Sequence, residues 1–281
     1  MKIQALSKAE QSYLIRLISD LESGHARQWY WLEIAQSLPA AQKTRKATTM
    51  GIAIKVLGIN ACSPILHKMQ LKGIGLYQRS GIKFTAFFKQ KVSDALLFSG
   101  CLLALLQGFH RLPASLQFAT WCLALGGAFW HLWQEFRSSQ STNNASILES
   151  DELPGAEASL GLPSIMLAAG VKAETSLQLV KGLKYDPDAV IAPLIQALPS
   201  IEPDADPSSK QKYLLAGFPW LVLGGINSWL IGVAPEYWGS VFALAMMAGL
   251  AYFTHRQRHT WLIMTGSWLS CFALASLVHY I

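Results

Sequence analysis

The chain has 281 residues, a net charge of +6 and four cysteines, with 52% hydrophobic and only 14% charged residues. That balance is too apolar for an ordinary soluble protein. Cys62, Cys101, Cys122 and Cys271 are scattered with no C-x-x-C spacing, so neither a zinc site nor a disulfide framework is suggested.

The charge is uneven along the chain. Residues 1–91 carry 14 Lys/Arg against 4 Asp/Glu, whereas residues 134–212 carry 6 against 11. A basic block without a recognition motif, placed beside a membrane segment, points to cytoplasmic placement and anionic lipid rather than nucleic acid. The opening MKIQALSKAEQSYLIRL has neither a continuous apolar run nor a small-residue cleavage site, so no signal peptide is expected.

The first domain, residues 1–91, reads as a basic helical unit. Ser7 and Glu10 form a capping box ahead of a helix whose apolar stripe is Leu14, Leu17, Ile18 and Leu21, with Gly24 as its stop. A second helix covers Arg27–Leu38, carries Trp29, Leu32 and Ile34, and ends at Pro39. The basic connection Lys43–Lys46 leads to Met50–Leu57. Pro64 is expected to open another helix through Leu71, and Gly73, Gly75 and Gly81 to break the pattern before Phe84–Lys91.

Residues 92–133 then read as a transmembrane hairpin. Val92–His110 and Leu112–Leu132 are its arms, closed at Arg111–Pro113, with Asp94 and Trp130, Trp133 and Arg137 at the cytoplasmic edge. Residues 134–212 form an acidic helical segment. Within it, 138–158 with Pro154-Gly155 reads as a linker. Helices follow at Leu160–Ala169 and Ala173–Leu183, joined at Gly170, then at Asp188–Leu198, opened by Pro187 and capped by Asp186. Residues 201–209, with Pro203 and Pro207, are a loop.

The last domain, 213–281, holds three more spans: Tyr213–Val233, Tyr237–Phe253 and Trp261–Ile281. None shows a polar face at helical period, and backbone groups in lipid must be satisfied within the segment, so each is read as a membrane helix. Trp220, Trp229, Trp238 and Trp261 lie near the proposed ends, where amphipathic rings favour headgroups. Arg256 and Arg258 place the Thr254–Thr260 connection inside, and Glu236 places the other connection outside. The expected fold is all-α and polytopic, with two cytoplasmic helical segments and about five transmembrane helices, the N-terminus being cytoplasmic.

No catalytic, cofactor-binding or metal-ligating residue is assigned. Ser240, Ser267 and His279 share the last two spans, but Gly239-Ser240 lacks the second flanking glycine of the usual serine motifs and His279 sits near the end of its span. His255 and His259 are four apart without an evident third ligand. Asp186/Asp188 and Asp204/Asp206 lack the length and terminal Glu of a calcium loop. Pro219, Gly224-Gly225 and Asn227 interrupt one span as transporter helices are interrupted, but Pro and Gly are frequent in membrane helices and simple packing is the favoured account. Ala245-x3-Gly249 and Gly266-x3-Ser270 are expected packing seams.

An internal duplication is suggested, because Leu14-x6-Leu21-x2-Gly24 recurs as Leu160-x6-Leu167-x2-Gly170 at an offset of 146. With LIRLISDLESG (14–24) and PSIMLAAGV (163–171), the layout resembles the inner-membrane platform proteins of type II secretion and type IV pilus machines, the F-domain family. The chain is shorter than that family, has five proposed spans where three are usual, and lacks its Gly-Glu-x-x-Gly element. The resemblance implies a non-catalytic scaffold in a bacterial inner membrane, a homo-oligomer or part of a larger complex. Its partners would be membrane lipids, a cytoplasmic motor ATPase and pilin-like subunits. The other class the residues allow is a small transporter or membrane enzyme with a site among the last three spans.

Overall fold

The computed structural model describes residues 5–146, 161–203, 209–234, 238–255 and 259–281. Every regular element among them is helical. In order these are α1 (Lys8–Leu21), α2 (Ala26–Gln36), α3 (Arg45–Leu57), α4 (Ile59–Lys68), a 3-10 turn (Ile74–Tyr77), α5 (Gln78–Gly108) and α6 (Pro113–Ser146). There follow α7 (Leu162–Ala168), α8 (Ala173–Tyr185), α9 (Pro187–Ala197), a second 3-10 turn (Pro199–Ile201), α10 (Ser209–Val233), α11 (Trp238–His255) and α12 (Thr260–Tyr280).

Local signals set the helix ends. Ser7 Oγ accepts from the Glu10 N–H at 3.3 Å while the Ser7 N–H donates to Glu10 Oε2 at 2.8 Å, a complete capping box. Thr44 caps α3 by accepting from the Ala47 N–H, and Asp186 caps α9 through the Ala189 N–H. Pro64 does not open α4: the helix begins at Ile59, directly after Gly58, and carries the proline inside it. The glycines after residue 70 do not break the chain into short pieces either. From Gln78 a single 31-residue helix runs through Asp94 to Gly108. Residues 138–146, expected as linker, continue α6, since no Pro or Gly intervenes before Pro154-Gly155. The rest of that linker lies outside the described residues, as do Arg256, Arg258, Glu236, Asp204 and Asp206.

The chain divides into two compact units. One comprises α1–α4, the first 3-10 turn, α5 as far as Thr85, and α7–α9 with the second 3-10 turn. The other comprises the rest of α5 with α6 and α10–α12. The two polar segments, read from sequence as separate domains, thus share one lobe. Its core runs without a break from Leu14, Ile18, Trp31, Ile34 and Leu66 to Leu162, Met166, Val180, Leu183 and Leu194. The physical reason is that α7–α9 are short and bury few large residues of their own, whereas α2 offers them an apolar side at Tyr30, Trp31 and Ile34.

The proposed duplication can be followed in part. Gly24 and Gly170 both adopt the left-handed conformation, at φ +88° and +86°, and a second helix follows each closely. Burial does not keep the same register. Leu14 and Ile18 lie ten and six residues before their glycine, whereas the buried pair Leu162 and Met166 lies eight and four before its own. Leu21 and Leu167 match each other only as exposed residues, and Leu160 lies outside the described residues.

Among the described residues three helices are long and apolar enough to cross a membrane: Ile74–Gly108, Lys212–Val233 and Thr260–Tyr280. Helices α6 and α11 fall below the same measure of length and hydropathy. α10 is continuous through Pro219, Gly224-Gly225 and Asn227, so the expected interruption is absent.

Candidate functional site

Two polar layers lie within the apolar unit, one near each end of the α5–α6 hairpin. The first is charged. Lys91 on α5 reaches Glu135 Oε1 on α6 at 3.1 Å and donates to His131 Nδ1 at 3.3 Å. Lys91 and Glu135 are nearly closed off, with side chains 9% and 12% exposed, so each charge depends on the other to offset its lost hydration. The Lys91 ammonium also sits 5.2 Å from the Phe87 ring centre. Trp220 of α10 stacks on His131, with centroids 5.4 Å apart, and on Phe98.

The second layer is neutral. Gln107 on α5 and Gln117 on α6 approach α11 and α10: Ser240 Oγ donates to Gln107 Oε1 at 2.6 Å, and Gln117 Nε2 donates to the Ser228 carbonyl at 3.0 Å. Beside it Asn227, fully buried, donates from Nδ2 to Met247 Sδ at 3.4 Å. Its Oδ1 has no hydrogen-bond partner among the described residues. Sixteen residues of α5 separate Lys91 from Gln107, a rise of about 24 Å, close to the thickness of a hydrocarbon layer.

Glycine brings these helices close enough to bond. A Cβ on Gly127 would run into the Trp220 ring, one on Gly224 into Ala124, and one on Gly100 into the Trp268 indole, whose Nε1 donates to the Leu97 carbonyl at 3.2 Å. The expected seams lie elsewhere: Gly249 and Gly266 have nothing within 4 Å. Trp220 is likewise no headgroup anchor, being 4% exposed, whereas Trp229 and Trp238 are mostly exposed as expected.

The serines and histidines singled out in the sequence do not converge. Ser240 is held by Gln107, Ser267 bonds back to the Ile263 carbonyl at 2.9 Å, and His279 lies against the His110 ring. His255 closes α11 and His259 takes φ +51° just before α12, so they share no helix face. No cluster of three or more metal-ligating side chains occurs among the described residues. Asp186 is a cap, and Asp188 accepts a hydrogen bond from the Gly75 backbone. Burial holds the Asp188 carboxyl above its usual range in spite of that bond.

In the lobe, polar ties brace the segment before the α5–α6 hairpin and join it to the segment that follows. Glu22 pairs with Arg27 at 2.8 Å and accepts from the buried Tyr77 hydroxyl at 2.6 Å. Arg79 reaches Glu202 at 3.1 Å, and Lys184 reaches Glu33 at 3.3 Å. Burial, with Glu22 beside it, drives the Tyr77 hydroxyl well above its usual range; burial and Asp188 do the same to Tyr30. Lys43 and Arg45 are exposed and Lys46 donates to the Ala5 carbonyl.

Sequence reasoning passed over Lys91, Glu135 and His131. The sequence signals only their placement, a cation at the start of one apolar run and an anion just past the next, and not their pairing. Gln107 and Gln117, flanking the hairpin turn, carry a similar signal. Comparison with protein-family models, with curated proteins and with solved structures returned no match.

Proposed function

We propose that this chain is a polytopic membrane scaffold whose helical lobe docks soluble partners on the basic side of the bilayer. One observation carries the topology. The lobe draws its core from residues before α5 and after α6, so both segments lie on one side of the membrane. If α5 crosses, a second crossing must return the chain before Gly161, and among the described residues α6 is the only long helix there. With α10, α11 and α12 this makes five spans, although α6 and α11 are the less apolar members. The polar layers support the crossing of α6, because Glu135 and His131 tie it to Lys91 of α5 and Gln117 ties its other end to α10, an apolar span.

The same geometry favours a scaffold over a transporter. The Asn227 layer is closed by packing, since Asn227, Ser240 and Met247 have no exposed surface. With the resemblance to the platform family, the reading becomes a non-catalytic inner-membrane platform of a secretion or pilus-like machine. The lobe would meet a motor ATPase and the membrane helices pilin-like subunits. The exposed Lys43 and Arg45, beside Lys46 at the start of α3, offer a basic surface to an acidic partner.

The test is cross-linked affinity purification of the full chain from its native membranes. The reading expects a hexameric ATPase and pilin-like proteins, with ATPase recovery falling at least tenfold in Lys43→Glu/Arg45→Glu/Lys46→Glu. Recovery of neither, or full recovery with the variant, would contradict it. A second reading, a transporter or membrane enzyme, rests on the unpartnered Asn227 Oδ1. Solute-dependent protection of Asn227 in reconstituted protein would favour it.

A further inference from the structure

Among the described residues of the lobe, α3 and α4 present exposed apolar side chains. Ile52, Val56 and Leu57 on α3 and Ile65 on α4 are all exposed, Val56 to 68%. These helices meet at Gly58, and their exposed residues include Lys55 and Lys68. The surrounding sequence is one-sided. From Ile34 to Ser93 there are ten Lys/Arg and no Asp or Glu, and this stretch runs directly into the first apolar span.

We propose that this face of α3 and α4 lies on the anionic headgroup surface of the bilayer in which the apolar unit sits. The inference rests on the membrane reading above and adds to it a second, peripheral attachment. Exposed aliphatic side chains interleaved with lysine are the make-up of a helix that lies in the interface. The aliphatic groups enter the acyl boundary while lysine stems extend their ammonium groups to the phosphates. The charge pattern selects the occupant, since anionic lipid attracts a segment in which no carboxylate intervenes. Covalent continuity with α5 keeps the lobe beside the bilayer, so binding need overcome little loss of free motion.

The experiment uses the full chain in nanodiscs with p-benzoylphenylalanine at Val56 and, as a control, at the exposed Tyr185 of α8. Lipid adducts are counted by mass spectrometry in discs of phosphatidylcholine alone and of phosphatidylcholine with phosphatidylglycerol. The expected result is at least tenfold more lipid adduct at Val56 than at Tyr185 in anionic discs. Each lysine removed should lower it about fivefold, so Lys55→Glu/Lys68→Glu brings it to the control level, as does 1 M salt, where screening acts within about 3 Å. Both substituted lysines are exposed, and an unchanged thermal transition of the variant separates lost docking from lost folding. Equal adduct at Val56 and Tyr185, insensitivity to lipid charge, or adducts to a second protein chain at Val56 would overturn the proposal. Release of the chain from membranes by alkaline carbonate would instead overturn the membrane reading beneath it.

Discussion

The two units are built in opposite ways. In the lobe the large side chains are inside: Trp31, Tyr30, Tyr77 and a run of Leu and Ile fill the core. In the apolar unit many buried positions are small, among them Ala95, Ala104, Ala124, Ala128, Ala243 and Ala251. Its large residues, such as Phe129, Trp229, Phe253 and Ile263, face outward. The lobe gains by removing bulk apolar surface from water. The other unit exposes that surface freely and gains from close backbone approach and a few buried polar bonds, which is how helices associate in lipid. Burial by size therefore separates the units as clearly as hydropathy does.

The sharpest way to break this contrast is to add bulk where glycine permits contact. Gly127→Leu should abolish a monodisperse folded species in detergent, because its first carbon already overlaps the Trp220 ring. Gly249→Leu, with nothing within 4 Å, should leave elution and thermal transition unchanged. In the lobe the opposite change is the damaging one: Trp31→Ala should cost about 3–5 kcal/mol in urea unfolding of the lobe.

Smaller changes sharpen the comparison. Tyr77→Phe strips Glu22 of a buried donor and should cost about 1–3 kcal/mol, read by the same unfolding curve. The phenols also set a pH dependence. Tyr30 and Tyr77 have folded pKa values raised above the unfolded one, so the unfolded chain loses their protons first. Lobe stability should fall as pH rises through about 10, and Tyr77→Phe should flatten that fall. The smallest effect belongs to Arg79→Ala. Its pair with Glu202 leaves Arg79 73% exposed, and the loss should stay below about 1 kcal/mol.

What was legible in the sequence was local. The Ser7–Glu10 box, the Asp186 cap, the Gly24 and Gly170 turns and the Arg111–Pro113 turn each depend on a few adjacent residues. Helix phase was less legible: Leu21 belongs to the apolar stripe by spacing yet stands exposed, while Ile15 is buried in its place. Contacts between distant helices were not legible at all. Nothing near Lys91 names Glu135 as its partner, nothing near Trp220 says that Gly127 will admit it, and the opposite net charges of the two segments do not foretell their common core. That core is apolar, and its flanking ion pairs include Lys184 with Glu33, which runs against the net sign of each segment.

The account turns on both polar segments lying on one side of a bilayer. Full-length protein carrying a single added thiol at Lys43 or at Tyr185, in sealed right-side-out and inverted vesicles, can be treated with an impermeant maleimide. Both positions should label in inverted vesicles and stay protected in right-side-out ones. Labelling of Lys43→Cys and Tyr185→Cys from opposite faces would contradict the shared lobe, the crossing of α6 and the platform together.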